Sequence, residues 1–131
     1  MLYLDANVFI YAAINTEDIG QKARALLQKI QLGEEQGATS ALTFDEVFWS
    51  IKKRKPELAI ETAYALLNFP NIEIIPADRK LALSALKIIN EYNLAPRDAL
   101  HAATAIAAKA DCLVSTDPHF DKLKELKSQL L

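Results

Sequence analysis

Four acidic residues, Asp5, Glu46, Asp98 and Asp117, are far apart in the chain but occupy related local positions. Asp5 ends the apolar stretch Leu2-Tyr3-Leu4, and Asp117 closes the run that begins at Cys112-Leu113-Val114. Both read as carboxylates at the carboxyl ends of buried strands. Glu46 and Asp98 fall in the first turns of predicted helices. Gathered together, such groups repel by about 4 kcal/mol per pair at 4 Å and an effective dielectric near 20, so they need protons or cations between them. With one cysteine and two histidines in the chain, the available donors are mainly oxygen. That set suits Mg²⁺ or Mn²⁺ rather than zinc. Hard divalent ions bind phosphates, polarise a phosphodiester, acidify a bound water and stabilise a leaving oxygen, and four acids leave room for two ions.

The elements that must position these acids follow from periodicity and punctuation. Short hydrophobic-rich runs at 2–4, 72–75 and 112–115, with Ala38-Thr39-Ser40 following the helix stop at Gly33 and Gly37, predict four strands. Ile19, Ala23, Leu26, Leu27 and Ile30 recur at helical spacing before Gly33. Thr43-Phe44-Asp45-Glu46 has the form of a capping box, which predicts a helix from Thr43 to Lys55. Leu58, Ala63, Leu66 and Leu67 mark another helix, broken by Pro70-Asn71. Asp78 is the expected cap of a helix that buries Leu81, Ala82, Ala85, Leu86, Ile89 and Tyr92. An Ala-rich helix then runs from Arg97-Asp98 to Ala110, and its small residues permit close packing. Residues 121–131, with Leu123, Leu126 and Leu130, read as a charged helix.

Alternating strands and helices predict an α/β fold, a central parallel sheet of four or five strands with helices on both faces. Ligands of such open sheets bind beyond the carboxyl ends of the strands, where the acids lie. The 131 residues suit one domain spanning 1–131. Cys112 is the only cysteine, which excludes an internal disulfide and a cysteine-rich zinc cage. The start Met-Leu-Tyr-Leu-Asp does not read as a signal peptide, and no apolar run approaches the roughly 20 residues of a membrane span. A cytoplasmic protein is expected. The net charge of −2 requires any contact with nucleic acid to be local.

Four pieces of the chain, Asp5-Ala-Asn7, Glu46 on its helix, Asp98-Ala-Leu-His-Ala-Ala-Thr-Ala, and Ser115-Thr-Asp117 with Phe120, together resemble a PIN domain. The resemblance spans nearly the whole chain. It implies a metal-dependent ribonuclease acting on RNA, and the short chain is most similar to the toxin half of a VapBC-type toxin–antitoxin pair. A cognate antitoxin and a homodimer are implied with it. Carried over residue by residue, the family's acidic, metal-binding and catalytic positions match Asp5, Glu46, Asp98 and Asp117, and its neighbouring polar positions match Asn7 and Thr116. The predicted C-terminal helix departs from relatives that place a strand there.

Each residue also has a plainer reading. Glu46 completes a capping box, Asp98 meets a helix dipole, and Asp117 forms a turn. Their joint placement at strand ends favours the metal site. Asn7 either caps a helix from Val8 to Ala13 or orients a metal-bound water. His101 reads as a hydrogen-bonded structural residue, His119 as exposed, Asp121 as a surface acid, Cys112 as a buried strand residue, and Phe48 and Trp49 as core. Lys52 to Lys55 reads as a solvated run at a helix C-terminus. Arg97 is the better phosphate ligand, because an arginine at a helix start gains nothing from the dipole. The competing functions are a noncatalytic PIN-like module that binds RNA or protein, and an aspartate-based phosphatase or receiver. Asp5-Ala-Asn7 lacks the second acid of the phosphatase pattern, and no lysine clearly ends a late strand as a receiver requires.

Overall fold

In the computed structural model, which describes residues 1–131, five strands form one parallel sheet. They are β1 (Leu2–Leu4), β2 (Gly37–Ser40), β3 (Ile72–Ile75), β4 (Cys112–Ser115) and β5 (Ser128–Leu130), in spatial order β3-β2-β1-β4-β5. The helices are α1 (Ala6–Ile14), α2 (Asp18–Gln31), α3 (Leu42–Arg54), α4 (Ala59–Leu67), α5 (Arg79–Tyr92) and α6 (Pro96–Ala107). Short 3₁₀ turns at Pro56–Leu58 and Pro118–Lys122 complete the list. The chain order reverses on either side of β1, so the carboxyl ends of β1 and β4 border the crevice in which such sheets bind ligands.

Successive strand residues point to opposite faces, and this alternation sorts the core. Tyr3 and Leu113, paired in register, lie on the face covered by Ala85, Ile88, Ala99, Ala102 and Phe120. Leu4 and Val114 lie on the other, against Val8, Phe9, Ile30, Val47 and Ile51. Each fully buried large apolar side chain contributes roughly 1.5–3 kcal/mol. In α6, Ala99, Ala102, Ala103 and Ala105 are all buried, so the helix backbone lies close to the sheet and to α5. No helix is long and apolar enough to cross a membrane.

Several local expectations are corrected. The capping box is not formed: α3 starts at Leu42, and Thr43 is fully buried. The Thr39 hydroxyl donates to the Leu4 carbonyl at 2.7 Å, so the Thr43 hydroxyl, 2.7 Å from Thr39 Oγ1, must donate to it. The one-residue connection from β2 leaves no room for a capped entry, and Ser40 Oγ instead accepts from the Leu42 N–H at 3.1 Å. Asp5, not Asn7, caps α1, accepting from the Ala6 N–H. In α5 the buried stripe is Leu81, Ala85 and Ile88, at i, i+4 and i+7, while Leu86 is 60% exposed. Trp49 is 55% exposed rather than core.

The largest correction is C-terminal. Leu123 and Leu126 are buried, but they sit in turns that lead to β5 and not on a helix. The free edge of β4 offered backbone partners that a helix would have left unused. Leu113 N–H donates to the Lys127 carbonyl at 2.8 Å, and Leu131 N–H to the Ser115 carbonyl at 3.0 Å. Asp78 does cap α5, accepting from the Leu81 N–H at 3.0 Å. Asn93, in the left-handed conformation at φ 57°, ends that helix before Pro96.

Candidate metal centre

Asp5 leaves the end of β1 and is held from two sides. Its Oδ1 accepts from the Ala6 N–H at 2.7 Å, and its Oδ2 accepts from the Ser115 hydroxyl at 2.6 Å. Ser115, at the end of β4, also accepts from the Asp117 N–H at 3.0 Å. One hydroxyl therefore ties the two strand-end acids together. A carboxylate has about four acceptor sites, so Asp5 retains capacity beyond these two bonds.

His101 of α6 lies at the centre of the same region and is fully buried. Its Nδ1 is 2.7 Å from the Tyr3 hydroxyl, its Nε2 is 2.6 Å from Glu46 Oε1, and that nitrogen is 3.8 Å from Asp5 Oδ1. Burial pushes the imidazole pKa down, but the Glu46 hydrogen bond and the charges of Glu46, Asp5 and Asp98 outweigh it, and the net direction is up. Burial, reinforced by the Asp5 charge, raises the Tyr3 phenol well above its ordinary value. Asp5, Glu46 and His101 are close enough to offer one ligand atom each to a single ion. Both imidazole nitrogens are already engaged, however, so His101 orients Glu46 and the carboxylates are the available donors.

Asp98, Asp117 and His119 form a second group. Asp117 Oδ1 accepts from the His119 N–H at 2.9 Å, and Asp117 Oδ2 lies 3.0 Å from His119 Nδ1. The same ring nitrogen is 3.9 Å from Asp98 Oδ2. These acids are partly exposed, and His119 itself is largely exposed. Burial raises the Asp98 pKa, followed by the charges of Asp5 and Asp117, and His101 and His119 offset this only in part. The two groups adjoin through Ser115, whose hydroxyl bonds both Asp5 and the Asp117 N–H.

The four predicted acids thus meet at one edge of the sheet, as two neighbouring triplets rather than one cluster. The ion pairs of the fold join His101 to Asp5 and Glu46, His119 to Asp98 and Asp117, and the N-terminus to Asp111. No lysine or arginine pairs with any of the four acids. Two histidines face four carboxylates, and this oxygen-rich, under-compensated donor set fits a hard divalent cation.

The remaining predicted residues surround this edge. Asn7 is half-buried in the first turn of α1, and Thr116 is half-buried between Ser115 and Asp117. Arg97 is exposed at the start of α6. With Glu46, Trp49, Lys53 and Arg54 it lines a cleft of about 490 Å³. Lys52 instead lies over the Phe48 ring, 6.0 Å from its centroid. Asp121 accepts from the Ser128 hydroxyl at 2.7 Å and belongs to the C-terminal turn. The largest cleft, about 700 Å³ between α1, α2 and α4, is lined by Phe9, Leu27, Leu66 and Phe69 among others and by none of the four acids. Sequence reasoning did not assign Tyr3 or Ser115 a part in the site. The available signal was Tyr3, a polar-tipped residue on the same strand face as Asp5.

Comparison with known proteins bears on this arrangement. The PIN domain family model matches residues 2–126. No match is found among curated proteins. Among solved structures, VapBC2 from Rickettsia felis bound to a promoter DNA fragment is similar, with TM-score 0.73, 22% identity, and coverage of 99% of this chain and 98% of that one. Mycobacterium tuberculosis VapC20, a sarcin-ricin loop cleaving toxin, has TM-score 0.76 at 12% identity, covering 96% and 98% of the respective chains. FitAcB from Neisseria gonorrhoeae has TM-score 0.73 at 20% identity, covering 98% and 96%. At these identities the structural likeness establishes the fold, and the family match over nearly the full length establishes membership: the chain belongs to the PIN domain family.

Proposed function

We propose that this PIN domain is a Mg²⁺- or Mn²⁺-dependent endoribonuclease that cuts single-stranded or looped RNA, with Asp5, Glu46, Asp98 and Asp117 as metal-binding catalytic residues. The observation that carries the reading is the pairing pattern: four carboxylates converge at the strand ends without a lysine or arginine partner. Two histidines are the only basic partners of the four acids, so the remaining counter-charge comes from solution. Bound there, a divalent ion supplies Lewis-acid stabilisation of the phosphodiester and a water of lowered pKa. The protein's part is placement. Ser115 and the Ala6 N–H fix Asp5, and the Tyr3–His101 pair fixes Glu46. Asp98 and Asp117 face solvent, where the RNA backbone arrives. Asn7 and Thr116 orient water or substrate beside them, and Arg97 takes a phosphate oxygen.

A labelled RNA hairpin incubated with the protein and millimolar Mn²⁺ or Mg²⁺ tests this reading. Cleavage is expected with either ion and is lost in excess EDTA. Asp5→Asn and Asp98→Asn each nearly abolish it. Undiminished activity of the double variant, or full activity in EDTA, sinks the mechanism.

By similarity to the toxin–antitoxin structures, the chain acts in the cytoplasm as a homodimeric toxin restrained by a cognate antitoxin. Such a partner covers apolar surface, for which the cleft between α1, α2 and α4 is suited, and directs a basic side chain at the acids. Arginine fits best, since its planar fork engages carboxylates in bidentate fashion. Coexpression with the neighbouring reading frame, followed by copurification and a growth assay of this chain alone, checks the assignment. No copurifying partner together with no growth defect contradicts it.

A further inference from the structure

The cleft beside Glu46 contains a residue that the acid site does not use. Trp49 is 55% exposed, although its residue type favours the core, because it lies on the side of α3 opposite the buried Thr43, Val47 and Ile51. Its ring packs edge-to-face with Phe48, centroids 6.0 Å apart and planes at 87°, and Phe48 in turn contacts Phe44. The indole is therefore braced, not loosely solvated. Glu46, Trp49, Lys53 and Arg54 recur at i, i+3, i+7 and i+8 and share one face of α3. Arg97 closes the cleft from the start of α6, directly before Asp98. Lys53, Arg54 and Arg97 form no ion pair within the protein. In a chain of net charge −2, three free cations around one exposed indole, against Asp45 and Glu46, make a local site for an anion with an aromatic group.

We infer that this cleft is a nucleotide subsite in which Trp49 stacks on a base flanking the scissile phosphate, while Lys53 and Arg97 bind the adjoining phosphates. The identification of the ligand as single-stranded RNA rests on the nuclease reading above. Base stacking on an aromatic ring combined with backbone contacts from lysine and arginine is the general chemistry of single-strand binding. Glu46 and Lys53 are seven residues apart on α3, or roughly 10 Å along the axis. A strand whose cut phosphate lies at Glu46 therefore passes Trp49 before it reaches Lys53. A protein partner fits this face less well. It would bury the three cations, whereas Ile60, Tyr64 and Leu67 of α4 and Leu83 and Leu86 of α5 expose apolar side chains better suited to such a contact.

Trp49 is the only tryptophan in the chain, so intrinsic fluorescence reports on this position alone. The test titrates the full-length protein with six-nucleotide oligouridine and oligoadenosine RNAs, once in EDTA and once in Ca²⁺. The expected result is saturable quenching in at least one condition. Trp49→Ala, followed by anisotropy of a labelled oligonucleotide, weakens binding roughly fivefold to 150-fold, and Trp49→Phe retains most of it. The Lys53→Gln, Arg97→Gln double variant lowers the slope of log affinity against log salt by about 1.4, at about 0.7 per phosphate contact. No quenching in either condition, or cleavage by Trp49→Ala with unchanged kcat and KM, overturns the subsite and leaves the nuclease reading standing. Fluorescence that changes with protein concentration but not with RNA also overturns it, and assigns the face to a second copy of the chain. Quenching without any metal-dependent cleavage retains the subsite and removes the nuclease reading instead.

Discussion

The two acidic triplets have similar composition, two carboxylates and a histidine each, but differ in how they are held. In the inner one, both Asp5 oxygens are bonded, His101 is fixed through both ring nitrogens, and little of the group reaches solvent. In the outer one, His119 is 65% exposed, and its ring nitrogen lies 3.9 Å from Asp98 Oδ2. The inner group is preorganised by neighbours from β1, β4, α3 and α6, so its geometry exists before any ion or substrate arrives. The outer group lies on a helix start and a 3₁₀ turn, where water can replace a lost ligand. One triplet supplies precision and the other supplies access.

That contrast predicts different responses to the same chemical change. On the proposed metal-dependent mechanism, Asp5→Asn removes a ligand from a site that cannot rearrange, so cleavage should fall roughly a thousandfold or more, about 4 kcal/mol or above, at every Mn²⁺ concentration. Asp117→Asn should also impair cleavage at low Mn²⁺. Raising the ion concentration should then restore it to within about tenfold, because an exposed coordination position can be filled by solvent. Rate measurements across a Mn²⁺ series separate the cases, and identical dose responses for the two variants would break the comparison.

The supporting residues give the next largest effect. Tyr3→Phe leaves His101 Nδ1 buried without a partner, and Ser115→Ala frees Asp5 Oδ2 and the Asp117 N–H together. Each should cost about 10- to 100-fold in metal affinity, the usual range for groups that orient metal-binding side chains. His119→Ala, the outer counterpart, should change affinity by less than about threefold. The midpoint of the Mn²⁺-dependent rise in melting temperature gives these affinities without requiring RNA. An ion at a hundredfold excess over its Kd stabilises the native state by about 2.7 kcal/mol, so the rise is measurable in a chain of this size. A large loss in His119→Ala beside a small one in Tyr3→Phe would reverse the assignment of roles.

The parts of this site that were legible in the sequence are those with a local cause. Short apolar runs located β1, β3 and β4, with Pro70 and Pro76 bracketing β3, Gly37 announced β2, and Asp5 and Asp117 each follow from the run before it. Asp78 announced its helix by an ordinary cap. The parts that were not legible depend on residues distant in the chain. Tyr3 and His101 lie 98 positions apart, and nothing local to either indicates the other. Thr43 satisfied a capping pattern, but its hydroxyl was drawn into the buried Thr39 network when β2 ran into α3 through one residue. Leu123, Leu126 and Leu130 are spaced three and four apart, as on a helix face, yet the unpaired edge of β4 outweighed that periodicity. Trp49 was assigned to the core by residue type, whereas the fold directs it into a polar cleft.

The smallest expected effect concerns the metal-free protein, and here the two triplets act in different pH windows. Asp98 has its pKa raised, chiefly by burial and then by Asp5 and Asp117. A carboxyl whose folded pKa exceeds its unfolded value binds more protons in the native state, so its stabilisation is complete below the unfolded pKa and is lost as pH rises through the folded one. The Asp98 loss therefore begins near its ordinary value of 3.8 and runs upward. His101 is raised as well, because the Glu46 bond and the acidic charges outweigh burial. Its contribution is complete below its ordinary value of 6.5 and declines above that as the imidazole deprotonates. Both signs agree, so in EDTA these two groups should lower the melting temperature as pH rises, the outer triplet acting in the acid window and the inner one near and above neutrality. Asp98→Asn should flatten the acid part by a few degrees and reduce the neutral part only slightly, because the Asp98 charge is the smallest of those that raise His101. Glu46→Gln, which takes the negative charge from the His101 partner, should do the reverse. Saturating Mn²⁺ should reduce the acid-window slope in the wild type, since a bound cation supplies the charge that Asp98 lacks. Melting scans of the three proteins from about pH 4 to 8, with and without Mn²⁺, test the separation. A single transition shared by both windows, abolished equally by either substitution, would show that the triplets titrate as one unit.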